Sequence, residues 1–231
     1  MTSPGRGSDV NRELYPFLHE TTPTSQDLAR VLAEVSASTR QKCRDVVALR
    51  AKVLRECGDV IVKAGEAMAG AFLRGGKLLA IGNGGSATDA QDAAADCLSP
   101  PVDGWRALPA LALVNDIAVV TAVANDVGFE HVFARQLDAF AAPGDIILAF
   151  STSGNSPSIV NALRHAKRAG LLTVALCGYD GGAIAHVGCD FCIVTRAEYV
   201  PRIQEAQATV WHALLEITHA TLAASERLEI Q

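Results

Sequence analysis

Five short runs of nearly uninterrupted apolar residues mark the chain from Lys77 onward: 78–81, 108–114, 146–150, 172–177 and 191–194, each bounded by Gly, Pro or Asp. A strand with one wet face alternates polar and apolar residues, whereas a continuous run belongs to a strand covered on both sides. Between the runs, apolar residues recur at helical spacing over 87–98, 118–124, 132–140, 159–169 and about 202–226. Strand and helix therefore alternate. This predicts an α/β domain, an open parallel sheet of five strands with helices on both faces and ligands bound at the carboxyl ends of the strands.

Ahead of the first run, Leu28, Val31, Leu32 and Val35 form one helical pattern. After a break near Ser38 a second runs through Val46, Val53, Leu54, Val60, Ile61, Met68 and Phe72, until Gly75-Gly76 stops it. The expected organisation is a flexible tail over 1–24, N-terminal helices over 25–76 and the α/β domain over 77–231. The tail is rich in Ser, Thr, Pro, Gly and charge and lacks an apolar core, which excludes a signal peptide or membrane span and points to a cytoplasmic protein.

Of 231 residues, 49% are hydrophobic, enough for a sizeable core. The net charge of −5 is carried without basic runs or stacking aromatics, so nucleic acid is not an expected partner. The six cysteines are widely spaced or inside apolar segments and read as reduced core residues. Cys189 and Cys192 form a lone CxxC with no second pair, at the entry to a strand.

Two strand ends carry chemistry. The third run flows into Ser151-Thr152-Ser153-Gly154-Asn155-Ser156 and then Pro157. Pro suits a helix's first position and Ser156 its cap, so hydroxyls and free N–H groups converge where the helix dipole is positive. One hydroxyl would suffice for capping; four and an amide indicate a phosphate cradle. The first run ends in Gly82-Asn83-Gly84-Gly85-Ser86-Ala87, a loose match to a dinucleotide fingerprint. That fingerprint wants an acidic residue ending the second strand about 20 positions on, but the strand ends at Asn115-Asp116, and Asp103 precedes it. A Gly-rich turn needed only for close packing is a further alternative. No Gly-Lys-Ser/Thr ending is present, which disfavours ATP. Together, Asn83 to Ser86 and Ser151 to Ser156 suit a small phosphorylated metabolite, with no nucleotide cofactor.

Two polar pairs could supply reactivity. Asp92 and Asp96, four apart on the helix after the Gly-rich turn, lie about 40° apart on one face. Gln204 and His212, eight apart on the last helix, lie about 80° apart and roughly two turns along it. Alone, each pair would more often be solvated groups on a helix surface than an active site. His19, His131, His165, His186 and His219 lack a carboxylate or second ligand at motif spacing and read as surface or core residues.

Together these segments resemble the phosphoheptose isomerase branch of the sugar isomerase (SIS) family. The resemblance rests on Gly82-Asn-Gly-Gly-Ser-Ala, Ala124-Asn-Asp-Val-Gly-Phe129 with Val132-Phe-Ala-Arg-Gln136, Pro143-Gly-Asp, the Ser151 turn, Gly178-Tyr-Asp-Gly-Gly182 and Arg202-Ile-Gln-Glu205. It implies a three-layer α/β/α sandwich whose N-terminal helices serve oligomerisation, and a homotetramer with active sites between subunits. It further implies phosphate on Ser151, Thr152, Ser153 and Ser156, and substrate contacts at Asn83, Gly84, Gly85, Asn125, Asp126 and Gln204. Zinc-binding members use a His and a Glu on the first of these helices plus the Gln and His of the last. Here those positions are Asp92, Asp96, Gln204 and His212, a harder and less zinc-specific donor set that leaves a divalent metal open.

By the same resemblance Asp96 is the general base and His212 its acid partner, in an aldose–ketose interconversion through an enediol. The substrate so implied is sedoheptulose 7-phosphate or a close variant such as an octulose 8-phosphate. Asp96 is one methylene shorter than glutamate, roughly 1.5 Å of lost reach, where about 1 Å can cost on the order of 100-fold in rate. The alternatives are a non-catalytic tetrameric family member that binds a protein such as a replication initiator, and a sugar-phosphate sensor.

Overall fold

The computed structural model describes residues Ser25–Glu229, and the tail expected over 1–24 lies outside the described residues. Tertiary contacts divide the chain into two units, Met1–Asp45 and Val46–Gln231. The division falls inside a helix, α1 (Ser25–Leu73), rather than at residue 76.

The break expected where the apolar pattern lapses near Ser38 does not occur: the helix runs on, with neighbouring hydroxyls bonded along it. Thr39 Oγ1 donates to the Val35 carbonyl (2.8 Å) and Arg40 Nη1 donates to Ser36 Oγ (2.8 Å). Hydroxyl residues break helices by competing for backbone groups; bonded back along the helix, they are tolerated.

The second unit alternates as the apolar runs predict: β1 (Leu78–Ile81), α2 (Gly85–Leu98), β2 (Ala110–Ala112), α3 (Ile117–Asp126), α4 (Val132–Phe140), β3 (Ile146–Ser151), α5 (Pro157–Arg168), β4 (Leu172–Gly178), β5 (Phe191–Thr195) and α6 (Val200–Glu229). All five strands are parallel, in the order β2-β1-β3-β4-β5. β2 is shorter than the run that announced it. It is an edge strand entered through Pro109, which cannot donate to a ladder, and Asn115 N already turns back to the Ala112 carbonyl.

Successive strand residues feed opposite layers. Leu78, Ala80, Ile146, Leu148, Phe150, Val174 and Leu176 pack with the Leu49–Phe72 stretch of α1, with α2 and with α6. Leu79, Ile81, Ile147, Ala149, Ala175 and Cys177 pack with α4 and α5 on the other side. The result is a three-layer α/β/α sandwich.

Polar clamps hold the amino ends of the strands. Asp145, only 3% exposed, accepts from Lys77 N (3.0 Å), Lys77 Nζ (2.5 Å) and Ala142 N (2.8 Å). Asp190 Oδ2 accepts from Thr173 N and Oγ1, and Thr173 Oγ1 accepts from Asp190 N. The strand order reverses between β1 and β3, so the crevice outside the carboxyl ends opens between the two turns singled out from sequence.

Candidate active site

The two turns are stitched together. Asn83 Nδ2 donates to Ser158 Oγ at 2.9 Å, joining the turn after β1 to the first turn of α5. Gly84 enters α2 with φ +58, a left-handed conformation open to glycine. In the Ser151 turn the hydroxyls of Ser151 and Ser153 accept Gly154 N and Asn155 N, each at 3.2 Å. As acceptors they keep their O–H groups for an anion. The Ser156 side chain makes no capping bond to α5, which leaves its hydroxyl uncommitted at the helix N-terminus.

The segment after β4 buttresses this turn. Asn155 Oδ1 accepts Ala183 N (2.8 Å), and the Gly154 carbonyl accepts Ile184 N (3.0 Å). Gly154 has φ +65, and a Cβ there would lie 2.1 Å from the Gly181 carbonyl oxygen. Tyr179, at the carboxyl end of β4, is the only non-glycine of the described residues with positive φ (+50). Such strain persists where surrounding structure over-determines it, and it clusters at ligand sites.

α2 and α6 bring the reactive groups together. Gln204 lies against Gly85, so close that a Cβ on Gly85 would stand 2.2 Å from Gln204 Nε2. Further along the same helices, His212 Nε2 stands 3.8 Å from Asp96 Oδ2. That oxygen also accepts the indole N–H of Trp211 at 2.8 Å. Asp96 is about one-quarter exposed and His212 about two-thirds exposed. From Gly85 to Asp96 is about 16.5 Å of helix.

Sequence reasoning overlooked two residues here. Trp211 sits at an apolar position, and nothing in the sequence relates it to Asp96. Asp89, one turn before Asp92, has a carboxylate oxygen buried without a partner, and burial, then the neighbouring Asp92, raises its pKa from 3.8 to about 6. Only its helical spacing to Asp92 and Asp96 could have flagged it.

Other expected residues stand apart. Asn125 and Asp126, exposed at the end of α3, bond to one another (2.8 Å) and, among the described residues, to no other site residue. Asp92 is exposed. Of the expected metal donors, Asp96 and His212 stand together, with one oxygen of Asp96 accepting an indole N–H, while among the described residues no three His, Cys, Asp or Glu side chains gather to hold an ion.

Asp116, considered as a cofactor-binding acid, caps α3 by accepting Val119 N at 3.0 Å. Gln136 is a buried strut donating to the Leu113 and Val132 carbonyls. His165 pairs with Asp138 (3.1 Å), His219 stacks on Trp105 (4.2 Å between ring centroids), and His19 lies outside the described residues. The cysteines are free, with Cys97 and Cys177 buried, but Cys43 is exposed and so departs from the core reading.

The model of the SIS domain matches residues 43–178. A phosphoheptose isomerase of Roseiflexus sp. (strain RS-1) is 39% identical over 202 residues, 87% of this chain and 98% of that relative. One from Geobacter sp. (strain M21) is 40% identical over 192 residues, 83% and 97% of the two chains.

The chain belongs to the phosphoheptose isomerase branch of the SIS domain family.

Solved structures agree with the fold. Phosphoheptose isomerase GmhA from Neisseria gonorrhoeae superimposes with a TM-score of 0.75 at 32% identity, over 80% of this chain and 99% of that one. A phosphoheptose isomerase from Francisella tularensis gives 0.76 at 29%, over 80% and 98%. Membership makes the protein a sugar-phosphate isomerase, and the crevice between β1 and β3, with its phosphate-ready turn, suits such a substrate.

Proposed function

We propose that this SIS-domain protein interconverts sedoheptulose 7-phosphate and the corresponding heptose 7-phosphate, or a close long-chain variant such as an octulose 8-phosphate, by proton transfer through an enediol. The observation that carries the reading is the meeting of Asp96 and His212 on the same pair of helices along which Gln204 lies against Gly85. The phosphate sits on the hydroxyls of Ser151, Thr152, Ser153 and Ser156 and at the N-terminus of α5. Asn83, Gly84, Gly85, Ser86 and Gln204 position the sugar chain, with Asn125 and Asp126 contributing from α3.

Asp96 removes a proton from C1 of the ketose as the C2 carbonyl oxygen gains one, giving the enediol. The proton returns to C2 as the O1 hydroxyl gives up its own. His212 moves the proton between the two oxygens, and no electron leaves the substrate.

The functional unit is a cytoplasmic homotetramer in which a neighbouring subunit closes the site. Support for this comes from the exposure of His212 and Asp92 and from the apolar side chains that α1 leaves in water, including Leu28, Leu32, Val35, Val47 and Leu54. No helix among the described residues is long and apolar enough to cross a membrane.

The test is to incubate the purified protein with heptulose and octulose phosphates in D2O and follow aldose formation and deuterium at C2. Asp96→Ala and His212→Ala are expected to lose turnover by 100-fold or more, on the order of a general acid–base contribution. Full activity in both variants would remove the assignment.

A further inference from the structure

Trp211 is about 2% exposed and belongs to the core cluster that also contains Ala93, Cys97 and Leu214. Its indole cannot be displaced without disturbing that packing, so the N–H it presents to Asp96 Oδ2 comes from a fixed point. The next residue on α6, His212, is turned about 100° around the helix and points its imidazole at the same oxygen from 3.8 Å. Asp96 Oδ1 has no hydrogen-bond partner among the described residues, leaving its lone pairs available. A short carboxylate is thus held by one oxygen and presented by the other.

We infer that Trp211 is a positioning residue for the isomerisation, its buried indole N–H fixing the rotamer of Asp96 so that the shorter side chain offers Oδ1 to the substrate carbon. This rests on the reading of Asp96 as the base. An unanchored aspartate would sample several rotamers about χ1 and χ2, and only a fraction of them would aim an oxygen at the reacting carbon. A buried donor is rigid in a way that solvent is not, and supporting contacts of this kind hold reactive groups within about 0.5 Å of a productive geometry.

Trp211→Phe keeps an aromatic ring in the core and removes the N–H. The expected result is a 10- to 100-fold fall in kcat, the range for misplacement by about 1 Å, with KM changed less than about 2-fold. Asp96→Glu alone should also be impaired, since the longer arm meets the indole. Trp211→Phe combined with Asp96→Glu should regain at least 10-fold over Trp211→Phe, because the extra methylene restores reach where the anchor is gone. A merely structural role would lower the melting temperature and would not be rescued by lengthening Asp96.

An independent measurement does not depend on activity. The chain has two tryptophans, Trp105 and Trp211. With 15N-labelled indole, the resonance lost in Trp211→Phe should shift in Asp96→Asn, while that of Trp105 stays in place. Unchanged kcat in Trp211→Phe, an unmoved Trp211 resonance in Asp96→Asn, or no recovery in the double variant overturns the inference. Retained turnover in Asp96→Ala would instead overturn the reading of the base, and is scored separately.

Discussion

Gly85→Ala separates function from folding. Gly85 begins α2 with an ordinary negative φ, so alanine costs the backbone nothing and gains some helix propensity. The new methyl would lie 2.2 Å from Gln204 Nε2 and 3.1 Å from its Cδ, where ordinary contact begins at 3.4 Å. The amide must therefore withdraw by about 1.2 Å. It is the far end of a flexible side chain, so the fold yields cheaply while the contact to substrate is lost. Displacement on this scale corresponds to about 10- to 100-fold in kcat/KM, or roughly 1.4–2.7 kcal/mol. The assay is aldose formation from sedoheptulose 7-phosphate, with the melting temperature expected to stay within about 2 °C of the parent. Since the methyl acts only through Gln204, the double variant Gly85→Ala/Gln204→Ala should be no slower than Gln204→Ala. Parental kcat/KM in Gly85→Ala, or additive losses in the double variant, would refute the reasoning.

Gly154→Ala should behave in the opposite way: with φ +65 and a backbone oxygen 2.1 Å from the added Cβ, the Ser151 turn must deform, at about 2–3 kcal/mol of stability measured by urea unfolding. Asp145→Ala leaves Lys77 N, Lys77 Nζ and Ala142 N without their acceptor and should cost about 3 kcal/mol, seen as a lower urea midpoint. Asp89 binds its proton more tightly folded than unfolded, so its contribution to stability falls as pH rises from about 4 through 6 and stays lost above. Asp89→Asn should therefore melt higher than the parent at pH 8 and close to it at pH 4; a variant less stable at pH 8 would contradict this.

Much of this molecule is local, and therefore legible in its sequence. Continuous apolar runs identify strands covered on both faces, and the observed β1, β3, β4 and β5 lie where those runs lie. The hydroxyl-rich turn before Pro157 reads as an anion site because its chemistry resides in consecutive residues. Where the apolar pattern lapses near Ser38, periodicity reads as a break that the backbone does not make, and α1 runs on through it. Strand order is not local: only the tertiary structure puts β1 beside β3 and so makes one crevice of two turns nearly 70 residues apart. The contact of Trp211 with Asp96 spans 115 residues and has no signature in either segment. Periodicity marks a residue as buried, but which polar atom a buried ring meets is decided by how two helices lie against each other. That packing holds the oxygen of Asp96.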